Sequence, residues 1–541
     1  MKKNLKERFV YSVAGFLLVL LAGQAICSMR TKSPTADELA HHVASGYSYL
    51  VTKDFRMNPA SPPLPRMLAG LPLLFLKAKA PLDHPSWEAG NSPEFAQQFF
   101  YVYNKDADRL IFWARVPIVI LSVLFGFFVF WWGRKLFGDW AGLAALFLYA
   151  FCPDIIAHSG LATADLAVAF FFFLTLFSFW AYLLTPSFKR LGMTGVLAGL
   201  AFLSKFSAIL LLPSLLISGL LSGKAKSIPP ARIAGFLCVM LFTVWAGYFF
   251  ELKPLLKNTP DPVKKEAVYR RIGGEPLVWF ARNVPVPLST FSSALVSMSH
   301  TRAQGTNAFL MGQWSREGWW YYYFVAFAVK NTLPFVLIAL LSFLFIRKLA
   351  LSRISMAVLV VPVVFFFLAT LGDKAQAGIR YFLPIYPLLF ILGGGLIVYL
   401  WQRNKVYLKA LVCGLLVWHM AEAFYIFPHY LAYFNELVGG PKNGYKFLRD
   451  SNLDWGQDLK GLAKWVKEQG NPEVALFYPW PASPDYYGIP RRKLSDEEYE
   501  KPADALYAIS VHRMDAVRWT KDIPPSKVIG HSIFVYDLRK H

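Results

Sequence analysis

The chain is 541 residues long, with 55% hydrophobic, 17% aromatic and only 17% charged residues, and a mean hydropathy of +0.39. Soluble domains carry about 25% charged residues, so most of this chain is expected in lipid; disordered, collagen-like and disulfide-stapled classes are excluded. The 56 Lys and Arg against 34 Asp and Glu give a formal charge of +22. In a soluble protein that surplus would suggest nucleic acid, whereas in a membrane protein it reports topology or anionic lipid.

A membrane helix needs about 20 apolar residues. In chain order, spans are expected near 9–29, 112–132, 139–157, 161–184, 192–204, 206–222, 232–250, 321–345, 354–371, 381–401 and 407–427, eleven in all, with a hinge at Ser204-Lys205. The first lacks a small-x-small cleavage signal and reads as a retained anchor. Alternate short loops carry Arg134/Lys135, Lys189/Arg190, Lys224/Lys226/Arg232, Arg347/Lys348/Arg353 and Arg403/Lys405/Lys409, on the side of Lys2, Lys3, Lys6 and Arg8. This asymmetry puts the N-terminus in the cytoplasm and the C-terminus outside, and removes the need for a nucleic-acid partner. Cys27, Cys152, Cys238 and Cys413 lie in or beside apolar runs without a CxxC and read as buried thiols.

Three outer segments are long: 30–111, 251–320 and 428–541. The apolar stretch 67–76 is too short to span and reads as re-entrant or interfacial. In the last segment, Asp458–Glu468 has helical spacing, and Val474–Phe477, Ala505–Val511 and Lys527–Tyr536 look like strands. The expected architecture is therefore an α-helical polytopic membrane protein, residues 1–428, with a small extracytoplasmic α/β domain over 429–541.

Ionisable groups near membrane depth are the first functional candidates. They gather at the outer ends of spans, which suggests a site where a lipid-borne and a water-side reactant meet. In PTADELAHH, Thr35 or Asp37 with Glu38 can form a capping box; alternatively, Asp37/His41 and Glu38/His42, each four residues apart, can present a general base or metal ligands. His41 and His42 are expected to support the acids. Asp165 can cap its helix or act as a second acid, and Asp154 is the weaker candidate. Arg380, at the start of the tenth span, suits a phosphate, with Lys205 as a second contact and Arg302 and Arg316 behind them; snorkelling is the alternative. The run Trp319–Tyr323 reads as an interfacial aromatic belt.

The segments TADELAHHVASGYSYL, AHSGLATADLAVAFFF, LAFLSKFSAILLLP, SREGWWYYY, AGIRYFLPIYP and PHYLAYFNELVGGPKNGYKFLRDSNLDWGQDLK resemble bacterial membrane glycosyltransferases of the protein O-mannosyltransferase-like group, which share the GT-C fold with the enzyme that adds aminoarabinose to lipid A. The resemblance implies a polyprenyl-phosphate sugar donor and an outer-face active site in the first long loop. It carries the base to Asp37 with Glu38 in support, a second acid to Asp165, and lipid-phosphate contacts to Lys205 and Arg380. A divalent cation, Mg or Mn, held by Asp37, Glu38 and Asp165 is a further expectation. The acceptor is expected to be a lipid, glycan or protein outside the cytoplasmic membrane. The motif SNLDWGQDL has no role derivable from the residues. A lipid or polysaccharide transporter is the rival reading; it would need charge at the membrane midplane or an internal repeat. A phosphoethanolamine transferase would need a larger soluble domain.

Overall fold

The computed structural model describes residues 2–224, 229–257 and 262–540. Lys226, assigned above to a cytoplasmic loop, lies outside them. Each of the eleven apolar stretches contains helix. Among the described residues, six helices are long and apolar enough to cross a membrane: Leu5–Arg30, Ala107–Phe137, Asp165–Leu184, Pro230–Gly247, Ile379–Gln402 and Val406–Tyr425. A seventh span is possible if Asp139–Ala150 and Pro153–Ser159, bent by 67°, count as one. This is a multi-pass membrane protein, and the remaining expected spans are short or broken helices. Phe188–Ser204 ends at the hinge before Lys205, and the stretch 321–345 divides into Tyr322–Lys330 and Leu333–Leu344 at Asn331-Thr332, ahead of Pro334. Proline lacks the N–H that a continuing helix would use.

Small residues let these helices approach closely, as is general where lipid offers no hydrophobic drive between them. A Cβ on Gly142 would lie 2.6 Å from the Phe130 carbonyl oxygen, locking Asp139–Ala150 onto Ala107–Phe137. Asp165–Leu184 packs between Ala107–Phe137 and Phe188–Ser204. Of the cysteines, only Cys152 is buried; Cys27, Cys238 and Cys413 lie on exposed faces of apolar helices, where lipid rather than protein is the expected neighbour. The stretch 67–76 belongs to the helix Leu64–Phe75, which packs on Val43–Thr52 and leaves Leu71, Leu74 and Phe75 exposed.

Of the expected aromatic belt 319–323, Trp320 is exposed and Trp319 and Tyr321 are half-buried, whereas Tyr322 and Tyr323 are buried and do not belong to it. Tyr322 is buried with its hydroxyl accepting from Asn452 Nδ2 at 3.1 Å, and Tyr323 stacks on Phe382 at 4.9 Å. These rings are core, tying the helix Tyr322–Lys330 to the chain on either side of it.

The C-terminal sheet has five strands in the order Arg491–Arg492, Val474–Phe477, Leu506–Ser510, Ile533–Asp537, Lys527–Ile529. The first three run parallel and the last pairs antiparallel. The expected single strand 527–536 is a hairpin, because Gly530 and His531 take positive φ (60° and 66°) and turn the chain. The amphipathic helix Leu459–Glu468 buries Leu459, Leu462 and Val466. The sheet unit is joined to the first outer segment: Lys32 pairs with Asp458 at 2.5 Å, Ser33 N donates to Gln457 O at 3.0 Å, and Ala36 N donates to Trp455 O at 2.9 Å.

Candidate active site

Four separate helix ends bring ionisable side chains to one place. Asp37 follows the C-terminal end of Lys2–Arg30 and opens the short π-helical turn Glu38–His42. Asp165 is the first residue of Asp165–Leu184. Lys205 sits in extended conformation in the break after Phe188–Ser204, and Arg380 lies in the 3-10 turn Ile379–Ile385 that leads into Tyr386–Gln402. The contacts among these four side chains place the ends on one side of the bundle.

Arg380 Nη1 lies 3.2 Å from Asp37 Oδ2 and 3.6 Å from Asp165 Oδ2, bridging the two acids. Lys205 Nζ donates to Asp165 Oδ1 at 2.5 Å and lies 4.1 Å over the Tyr381 ring. Asp37, Asp165, Lys205 and Arg380, with His42 and Arg66, line a cavity of about 130 Å³. The two acids differ in access: the Asp37 side chain is 31% exposed and that of Asp165 only 2%. Asp165 is thus fixed between two cations, while Asp37 is held on one side and open on the other.

Glu38 departs from the expected partnership with Asp37. Its Oε1 accepts from Arg115 Nε (2.7 Å) and Ala162 N (2.8 Å); its Oε2 accepts from Arg115 Nη2 (2.7 Å), Thr35 N (2.8 Å) and Thr35 Oγ1 (3.0 Å). Burial pushes the Glu38 carboxyl up, but the Arg115 guanidinium and these N–H donors outweigh it and hold it below its usual range. With five donors on two oxygens, Glu38 is committed to the capping arrangement and to closing the loop 29–38 over Arg115.

The expected metal set fares no better. Glu38 is turned to Arg115, Asp165 to Lys205 and Arg380, and Asp37 to Arg380; no group of three His, Cys, Asp or Glu suited to a cation occurs among the described residues. Each carboxylate already has a cationic partner, so the residues do not fit a divalent ion.

His42 is buried on the cavity wall with its Nδ1 unpaired, and burial together with Arg66 keeps its ring neutral, well below the usual histidine range. His41 is half-buried, also lowered by burial, and lines a separate polar cavity with Arg56, Asn58, Asn91 and Ser92. Arg302 stays outside the cavity lining: its Nη2 is 3.9 Å from Asp373, and its guanidinium lies 5.9 Å from the same Tyr381 ring. Arg316 donates to Asn307 at 3.1 Å, and Asp154 is buried against the Tyr386 hydroxyl at 3.2 Å.

Several residues of the site escaped the sequence reading. Arg66 lines the cavity and is held by the Ser61 and Asn58 carbonyls at 2.8 and 3.3 Å. Arg115 lies buried inside an expected span, and an arginine there was itself a signal that a buried acid must face it. Trp455, in SNLDWGQDL, places its ring 4.2 Å from the Arg380 guanidinium. In the same motif Ser451 Oγ donates to Ala377 O (2.7 Å), and Asn452 Oδ1 accepts from Ile379 N (2.9 Å). The motif therefore grips both the loop that carries Asp37 and the turn that carries Arg380.

Residues 100–248 match the dolichyl-phosphate-mannose-protein mannosyltransferase family. The matched segment contains Asp165, Lys205 and Arg115; Asp37 and Arg380 lie outside it. The resemblance read from the motifs is met over this stretch. No curated protein matches the chain. Among solved structures, the chain is similar to ArnT from Cupriavidus metallidurans bound to undecaprenyl phosphate, at 12% identity over 98% of this chain and 99% of that one, with a TM-score of 0.47. The apo state of ArnT gives 13% identity, 99% and 100% coverage and a TM-score of 0.48. The oligosaccharyltransferase AglB from Archaeoglobus fulgidus, in complex with an inhibitory peptide and a dolichol-phosphate, gives 13% identity over 84% of this chain and 58% of that one, with a TM-score of 0.44.

Proposed function

We propose that the protein is a glycosyltransferase that moves a monosaccharide from a polyprenyl-phosphate carrier to an acceptor at the outer face of the cytoplasmic membrane. The observation that carries this reading is the meeting of Asp37, Asp165, Lys205 and Arg380 on one small cavity at a single end of the helix bundle. The match of residues 100–248 to a lipid-phosphate-dependent mannosyltransferase family supports it. The N-terminus is then cytoplasmic and the sheet unit extracytoplasmic, as the distribution of basic loops implies.

In the proposed step, Asp37 accepts the proton of an acceptor hydroxyl or amine as that atom attacks the anomeric carbon. The bond from the anomeric carbon to the carrier phosphate oxygen breaks, its electron pair leaves with the phosphate, and the configuration inverts. The leaving group is an anion from the start, so it calls for charge stabilisation rather than protonation. Arg380 and Lys205 supply that stabilisation. Asp165 keeps the two cations oriented, and Trp455 carries the apolar face of the Arg380 guanidinium. Donor binding then exchanges the Arg380–Asp37 contact for an Arg380–phosphate contact and frees Asp37 to work as a base. No step runs through a metal ion. A transport role would place these charges along a path across the bilayer, whereas they sit together at helix ends.

The reading is tested with detergent-purified protein, radiolabelled polyprenyl-phosphate monosaccharides and a membrane extract as the source of acceptor. Transfer of label with inversion at the anomeric carbon is expected. Carrier-dependent binding without any transfer, together with carrier movement across vesicles, would contradict it.

A further inference from the structure

A further cleft lies beside the motif SNLDWGQDL. It has a volume of about 480 Å³ and is lined by Trp314, Trp480, His512, Asp450, Asp515, Asn307 and Arg513. Three parts of the fold build it. Trp314 comes from the hairpin Ala308–Leu310/Gln313–Ser315 of the second outer segment, Asp450 from the motif region, and Trp480, His512 and Asp515 from the sheet unit. None of these residues takes part in the step above.

The rings are fixed against one another, with Trp314 also packed on Phe309 at 5.1 Å, and Trp314 remains 41% exposed toward the cleft. The His512 ring lies between two indoles, 5.5 Å from Trp314 and 4.9 Å from Trp480. Each indole has one polar atom, and each is already bound: Trp314 Nε1 donates to Asp515 Oδ2 at 3.0 Å, and Trp480 Nε1 donates to Asp454 Oδ1 at 2.9 Å. Asp515 is held in turn by Arg449, with contacts of 2.6 and 3.0 Å, and the Arg449 guanidinium rests 4.0 Å from the Phe309 ring. His512 Nδ1 is buried and has no hydrogen-bond partner.

Aromatic faces beside carboxylate, amide and imidazole groups suit a ligand with an apolar face and a rim of hydroxyls. A pyranose has that form: its C–H face packs on a ring, and its hydroxyls both donate and accept. Of the charged groups, Asp515 is paired with Arg449, and Asp450 and Arg513 offset one another, so the lining carries no net charge and suits a neutral ligand. The volume falls within the range of about 300–1,000 Å³ usual for small-ligand sites. Asp450 also opens the stretch of backbone that ends at Trp455, whose ring lies 4.2 Å from the Arg380 guanidinium, so one short segment links this cleft to the reacting cavity.

We infer that this cleft is a carbohydrate subsite, which holds the glycan portion of the acceptor while its reacting group reaches Asp37. The inference rests on the transferase reading for the meaning of "acceptor", and on the cleft alone for sugar binding. It is tested by saturation-transfer NMR on the full-length protein in detergent, with cellobiose, maltose, chitobiose and mannobiose as probes and a serine-rich decapeptide as a competing class. At least one disaccharide is expected to receive saturation at its ring C–H protons. Trp314→Ala should weaken that binding at least tenfold with an unchanged unfolding temperature; His512→Ala should weaken it as a second, independent variant. Arg380→Ala should keep disaccharide binding and weaken binding of polyprenyl phosphate by about tenfold to a hundredfold. No saturation of any disaccharide by the wild-type protein would overturn the inference, as would saturation that survives both cleft variants or binding of the decapeptide alone. If no disaccharide binds while Arg380→Ala still weakens carrier binding, the cleft fails and the transferase reading stands. If sugars bind and the wild-type protein ignores the carrier, the reverse holds.

Discussion

At the scale of single residues, two adjacent acids have opposite fates. Asp37 faces a cavity and a single cation, whereas Glu38 is buried under five donors that include Arg115. Glu38→Gln leaves the Arg115 guanidinium buried without its counter-charge, which costs on the order of 3–5 kcal/mol. A clear fall in unfolding temperature in detergent is the expected result; an unchanged one would show that the Glu38–Arg115 pair does not hold the loop. Arg380→Ala removes a charge-assisted contact worth about 1.5–3 kcal/mol. Carrier binding should therefore weaken by about tenfold to a hundredfold, with acceptor affinity little changed. Asp37, Asp165, Lys205 and Arg380 were legible in the sequence because each is an ionisable residue at the end of an apolar run on the same expected side. Trp455 was not, since no spacing rule announces that a ring in a polar motif will lie beneath a guanidinium from 75 residues earlier in the chain.

At the scale of elements, the turn before Arg380 sets where the guanidinium points. Gly378 has φ +97°, and a Cβ there would lie 2.8 Å from Ser451 Oγ. Gly378→Ala combines backbone strain of about 1–3 kcal/mol with displacement of the motif. Its expected signature is weaker carrier binding and slower transfer together, read in the same assay as Arg380→Ala. The contact between the motif and the first outer loop adds a pH dependence. Burial raises the Asp458 carboxyl, but Lys32 and His429 more than offset this and hold it well below its usual range; Ser532 and Gln457 also donate to it, and His531 stacks edge-on against His429. A carboxyl with a lowered folded pKa contributes stability above its unfolded value of about 3.9 and loses it as pH falls toward the folded one. Stability should therefore drop below about pH 4, and Asp458→Asn should give a lower and flatter acid limb in fluorescence-monitored unfolding. A parallel limb would rule out Asp458 as its source.

At the scale of the whole molecule, the apolar runs disclosed the helices, while lengths and breaks came from packing. The pair Tyr322–Lys330 and Leu333–Leu344 shows this: a single run of hydropathy hides a division at Asn331-Thr332, and Tyr322 and Tyr323 turn inward to Asn452 and Phe382. The sheet unit was legible as strands and a helix. Its part in the site was not, because its contacts with Ser33, Ala36 and Ile379 join residues hundreds of positions or a whole span apart. In the proposed function these distant pieces assemble one transfer centre with Asp37 as its base. The most direct measurement is transfer by Asp37→Asn, an isosteric change at a partly exposed side chain, with carrier binding and unfolding temperature recorded on the same preparation. Label transfer should fall by about 10²-fold or more, while carrier binding and folding are retained. Transfer at the wild-type rate by a folded Asp37→Asn protein would contradict the account.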